Sequence, residues 1–120
     1  MPSKCRLCDL YKERLDFVCE TDLFYAALDK SPVTPGHTII FPKRHAVSLF
    51  DLKTVEWTDL QVAIKKTVKT ISIRRQPDGY NFGVNEGLAA GRTIDHLHMH
   101  VIPRYIGDTT APQGGVRNLI

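Results

Sequence analysis

The stretch DHLHMHVIPRY, Asp95 to Tyr105, sets three histidines at alternate positions in an otherwise apolar run. Alternation is the period of a β-strand, so His96, His98 and His100 are predicted on one face and Leu97, Met99 and Val101 on the other. On a helix, residues two apart diverge by about 200° and the three rings could not converge. The apolar face suits a core, the imidazole face suits solvent or a site, and Pro103, lacking an N–H, is predicted to end the ladder. The reading is a half-buried strand whose exposed face carries three imidazoles.

Outward from this strand the chain supplies a sheet and a helix. DFVCE and LFYAAL read as two short strands turning near Thr21 and Asp22. HTIIFP is a third strand after the loop DKSPVTPG, and YNFGVN a fourth before the loop EGLAAGRTID. From Thr54 to Arg75, Trp57, Leu60, Ile64, Val68 and Ile71 recur at helical intervals and predict one core-facing stripe. Thr54 is the predicted N-cap, Glu56 lies in the first turn, and QPDG stops the helix. Cys5 to Arg14 reads as a short helix or knuckle. The tail GDTTAPQGGVRNLI lacks periodicity and is predicted as an extended arm or loop, with the natural chain continuing past it. The sum is an α+β fold: one domain over residues 1–120, a five-stranded antiparallel sheet, one long helix and a short N-terminal helix or zinc knuckle.

Composition narrows the function. With 120 residues, 42% of them hydrophobic and 24% charged, the chain can build a core without disulfides. A net charge of +3, with scattered basic residues, argues against nucleic acid as the partner. The sequence has no apolar run near the roughly 20 residues of a membrane span and no signal-peptide pattern, so a cytoplasmic, non-membrane protein is expected. Of three cysteines, two form CRLC, a spacing that suits a metal in a reducing compartment, while Cys19 reads as a buried small hydrophobe.

Three readings of the histidine row follow. Each ring buried for packing alone would need its own polar partner, which makes a purely structural row costly. Alternating imidazoles can supply ligands to zinc, with Cys5 and Cys8 as thiolate partners. Alternatively, one neutral imidazole attacks an electrophile while its neighbours orient it and handle charge. Phosphorus is a suitable electrophile, and its negative oxygens call for N–H donors and cations such as those of NEGLAAGRT and Arg104. Metal and catalysis can share the strand.

HLHMHVI fits the His-φ-His-φ-His-φ-φ signature of the histidine triad superfamily at every position. NEGLAAGRTIDHLHMHVIPR resembles that family's active-site loop and strand, and PVTPGHTIIFPKRH its first block. The resemblance spans Cys5 to Arg117. It is nearest to the bacterial and archaeal nucleotide hydrolases with CxxC near the N-terminus and GD…GGVR after the triad. It implies cleavage at the α-phosphorus of a nucleotide through a nucleotidyl-histidine intermediate, with a dinucleoside polyphosphate such as diadenosine tetraphosphate as substrate. Nucleoside phosphoramidate or aminoacyl-adenylate hydrolysis, a phosphorylase, and a nucleotide-binding module with little turnover are the alternatives. By the same resemblance His98 is the nucleophile, with His96 and His100 as further catalytic candidates. His37, Asn85, Thr93 and Asp29 match substrate-contacting positions, Asp29 toward the ribose hydroxyls. Arg92 stands where the family carries glutamine and is a further substrate-binding candidate, either strengthening phosphate binding or pointing to solvent.

The resemblance also implies a structural zinc held by Cys5, Cys8, His45 and His96, closed because no coordination position is left for substrate. The implied partners are a purine nucleotide and a second copy of the chain as a homodimer.

Overall fold

The computed structural model describes residues 5–118. Among these, β1 (Phe17–Glu20), β2 (Phe24–Leu28), β3 (Thr38–Pro42), β4 (Gly79–Val84) and β5 (Met99–Arg104) form one antiparallel sheet. Its order is β1-β2-β3-β5-β4, so β3 and β5 lie inside it and β4 is an edge. α1 (Arg6–Lys12) and α2 (Thr54–Arg75) complete the α+β architecture that the sequence predicts. No helix among the described residues is long and apolar enough to cross a membrane.

The period of two sorts each strand between two cores. Phe24, Ala26, Ile40 and Val101 join Leu60, Ala63 and Ile71 of α2 on one face. Tyr25, Ala27, Ile39 and Phe41 face the other way, onto Leu7 and Leu10 of α1. Covered on both sides, β3 is buried at every residue. Directly paired residues share a face, so His100, opposite Ile39, belongs to the α1 side. Gly83 is opposite His100 on β4 and adds no side chain there.

Four expectations need correction. The histidine strand starts late: β5 begins at Met99, and the chain bends at residues 94–96. His96 therefore does not share an exposed face with the other two rings; it is fully buried, its ring edge on Phe41 at 5.4 Å between centroids. Nor does Pro103 end the strand. It pairs with Tyr80 beyond Val101, where β3 no longer flanks β5 and an N–H is not needed on that side.

The buried face of α2 is Glu56, Leu60, Ala63, Thr67 and Ile71, with Ile64 and Val68 on its flank, and Trp57 is 42% exposed. The N-cap is Lys53 rather than Thr54, because the Glu56 carboxylate reaches back to the Lys53 N–H at 2.9 Å. Arg44 holds that carboxylate with two bonds of 2.7 and 2.8 Å and keeps its pKa below the usual range. Of the two forms expected for the tail, the loop is the one observed. Residues Gly115–Asn118 form a 3-10 turn against β4, while 119–120 lie outside the described residues.

Candidate active site and metal cluster

A cavity of about 300 Å³ opens on the α1 side of the sheet where β3, β5 and the loop after β4 meet. Asp29, His37, Asn85, Thr93, His98 and His100 all line it. Each arrives by a local rule. His37 immediately precedes β3 and has the parity of Ile39, and His100 is on the same face of β5. Asn85 and Thr93 bracket a loop that reverses through Gly87 and Gly91, both at positive φ (92° and 96°), a region glycine enters without strain.

Hydrogen bonds assign the ring protons. His98 Nδ1 lies 2.9 Å from the His96 carbonyl, which can only accept. Nδ1 therefore carries the proton, and Nε2 keeps its lone pair for the cavity that the ring lines. The Val33 N–H donates to His37 Nδ1 at 3.0 Å, so a neutral His37 is protonated at Nε2. That N–H donates to His100 Nδ1 at 2.9 Å, which leaves the His100 proton on Nε2. Burial keeps both rings neutral. It lowers the pKa of His37 against the pull of Asp29, and with help from His98 and His37 it lowers that of His100 to about 4. The Asp29 carboxylate accepts from Ser31 N–H at 2.8 Å and stands 3.5 and 3.6 Å from the His37 and His100 nitrogens.

Two expected contributors point elsewhere. Arg92 does not line the cavity; its guanidinium faces Asp95 at 3.2 Å and Glu86 at 3.9 Å, and Glu86 in turn accepts from the Leu49 N–H at 2.7 Å. It braces the loop instead of reaching into the site. Arg104 is committed to Asp108 through two bonds of 2.8 Å and to Asn81 through a third.

His96 also leaves the cavity, for a second cluster. Its Nδ1 is 3.1 Å from Cys5 Sγ and 3.4 Å from Cys8 Sγ, and His45 Nδ1 is 3.4 Å from Cys8 Sγ. The four ligand atoms all lie within 4.8 Å of one another. Ligand bonds of about 2.0–2.3 Å at tetrahedral angles would space such atoms about 3.3–3.8 Å apart, so the donor set fits zinc. The outer contact fits too: His96 Nε2–H donates to the Pro42 carbonyl at 2.8 Å, leaving Nδ1 as the lone-pair donor toward the thiols. Burial and the Cys5 thiol push the Cys8 thiol up to about 11, so without a cation it stays protonated at neutral pH.

Some lining and positioning groups carry no sequence signal. The Val33 amide and the Pro42 carbonyl act through the main chain, which any residue supplies. Val116 reaches the cavity only because the tail folds back beside Gly83.

Comparison with known proteins adds to this geometry. The HIT domain family profile matches residues 12–107. An AP-4-A phosphorylase of Mycobacterium tuberculosis is 38% identical over 92 residues, covering 76% of this chain and 47% of its own length. A bis(5'-adenosyl)-triphosphatase of Dictyostelium discoideum is 36% identical over 84 residues, covering 70% and 56%. The chain thus spans about half the length of these curated relatives. Among solved structures, a Zn-bound histidine triad family protein from Mycobacterium smegmatis superposes with a TM-score of 0.78 at 30% identity, covering 90% of this chain and 80% of that one.

Proposed function

The chain belongs to the HIT domain family, and from that premise we propose that it is a nucleotidyl hydrolase of dinucleoside polyphosphates, diadenosine tetraphosphate above all. One observation carries the reading: the His98 ring is locked with Nδ1–H on the His96 carbonyl, which presents an unprotonated Nε2 to a cavity of nucleotide-binding size. In the first step the Nε2 lone pair forms a bond to the α-phosphorus and the bond to the leaving oxygen breaks. His100, whose proton sits on Nε2, donates a hydrogen bond to that oxygen as it leaves with the bonding pair as a polyphosphate anion. In the second step water attacks the phosphorus as the phosphorus–nitrogen bond breaks; the bonding pair returns to His98 Nε2, one water proton passes to solvent, and the nucleotide and free His98 are released.

His37 acts one bond behind. By donating to His100 Nδ1 it keeps the His100 N–H on the side of the leaving group. Asn85 and Thr93 are placed to contact phosphate oxygens, and Asp29 to accept from the two ribose hydroxyls. Arg92 supports the loop that presents them. Zinc held by Cys5, Cys8, His45 and His96 has a structural part in this reading, tying α1 to the start of β5. The names of the two relatives, one a phosphorylase and one a triphosphatase, support the substrate class and keep phosphate as a competing acceptor in the second step.

A homodimer belongs to the same proposal, since β4 is an open sheet edge carrying Phe82, 42% exposed. Sedimentation equilibrium reads it directly. The chemistry is tested by quenching the protein during turnover of diadenosine tetraphosphate and mapping the modified peptide by mass spectrometry. AMP on His98 is the expected result; AMP on another residue, or on none, refutes the assignment. A tenfold preference for a lysyl phosphoramidate of AMP would overturn the substrate class, and a requirement for phosphate would overturn hydrolysis.

A further inference from the structure

Both histidines of the Cys5–Cys8–His45–His96 cluster sit next to one main-chain bridge. The Leu97 N–H donates to the Ala46 carbonyl at 2.7 Å; His96 precedes Leu97, and His45 precedes Ala46. Neither segment is part of the sheet, because β3 ends at Pro42 and β5 begins at Met99. The carbonyl that orients the His98 ring belongs to His96 and shares its peptide plane with the Leu97 N–H, so the single bridge to Ala46, outside the sheet ladder, sets its direction. The bridge in turn is held in place by the side chains beside it, His96 first. That anchoring is one hydrogen bond to Pro42, edge contacts with Phe41 and His45, and an Nδ1 turned toward two thiols.

We propose that His96 is a positioning residue through which occupancy of this cluster sets the ring of His98. An ion shared by His45 and His96 clamps the two segments on either side of the Ala46–Leu97 bridge and holds the His96 carbonyl on His98 Nδ1–H. When the ion is lost, the carbonyl is released, and His98 exchanges between its two neutral tautomers. One of these puts the proton on Nε2 and leaves no lone pair facing the cavity. The site is thereby regulated by metal supply, although the ion lies outside the cavity. The inference rests on His98 being the nucleophile, and it adds that cluster and nucleophile form one unit.

The test reads tautomers rather than turnover. Protein labelled with 15N-histidine is loaded with zinc, stripped with a chelator and reloaded at mildly alkaline pH, and two-bond proton–nitrogen correlations report each ring. The expected result is a pure Nδ1–H pattern at His98 with zinc, mixed tautomers without it, and recovery on reloading. Transfer of AMP to His98 should fall by about 10–100-fold in the stripped protein, the usual range for a lost outer contact. A folded, zinc-free protein that keeps the pure pattern overturns the proposal, as does a chain that takes up no zinc. Because stripping can also unfold the N-terminal helix, zinc-loaded His45→Ala is the second sample. The His45 ring is exposed, and its loss opens the clamp at Ala46 while three ligands remain. Mixed tautomers at His98 support the proposal there, and an unchanged pattern refutes it. The spectra are taken without substrate, which separates the two readings. A His98 that follows zinc in a protein that cleaves no nucleotide refutes the hydrolase alone; an active hydrolase whose His98 ignores zinc refutes the coupling alone.

Discussion

Replacing His100 by asparagine should flatten the acid side of the stability profile. In the folded chain burial holds the His100 pKa at about 4, with the neighbouring His98 and His37 adding to the effect, against 6.5 for an ordinary histidine. Between those values the unfolded chain binds a proton that the folded chain refuses, so stability rises with pH across that window. The contribution is fully present above pH 6.5 and is lost as pH falls toward 4. At about 1.4 kcal/mol per pH unit for one proton, the whole window amounts to about 3 kcal/mol, of which about 2.5 kcal/mol is gone at pH 4.5. Against a typical domain stability of about 5–15 kcal/mol that is readily measured. Urea denaturation of the native protein and of His100→Asn at pH 7.5 and pH 4.5 gives the comparison. Acid-sensitive groups away from His100, His96 among them, are common to both proteins and cancel, leaving the coupled His37–His98–His100 rings as the difference. The native protein should lose about 2.5 kcal/mol more than the variant over this interval. Parallel losses in the two would show that the His100 ring gains its proton as easily folded as unfolded, and its assignment as a neutral hydrogen-bond donor would fail with it.

His98→Asn should still bind AMP with affinity of the same order while hydrolysis falls by about 10⁴-fold or more, as for loss of a nucleophile, measured by calorimetry and by nucleotide chromatography; normal turnover would remove His98 from its role. Gly36→Ala places a Cβ at φ +89° and 3.3 Å from a Pro103 side-chain carbon, so a loss of about 1–3 kcal/mol in urea denaturation is expected, and an unshifted midpoint would contradict the strain argument. Glu86→Ala deprives the Leu49 N–H of its acceptor and Arg92 of one of its carboxylates, which should cost about 1–3 kcal/mol and lower kcat/KM through the loop carrying Asn85 and Thr93. A loss of stability with unchanged kcat/KM would confine that carboxylate to a purely structural role.

The strands were legible because alternation and turn residues leave little choice. DFVCE, LFYAAL, HTIIFP and YNFGVN each fall within a residue or two of an observed strand, and the helix spans Thr54–Arg75 as its breakers predict. Trp57 was misread because a stripe drawn from apolar letters ignores Glu56 and Thr67. Both are buried through polar partners that lie far away or one turn back, Arg44 for the first and the Ala63 carbonyl for the second. The histidine row shows the same limit at the site. Spacing places three rings in register but cannot say where the ladder begins, since that depends on Ile40 pairing Met99 and on nothing earlier. What separates His96 from His98 is tertiary: the Pro42 carbonyl and two thiols capture the first ring, while the second is left to the cavity. His100 differs again, because a histidine 63 residues away fixes its proton. Three letters of one motif thus acquire three occupations, each set by an atom outside the motif. A nucleophile two residues from a buried ligand can then be oriented by that ligand's own main chain, an arrangement that a continuous strand pairing would have made unnecessary.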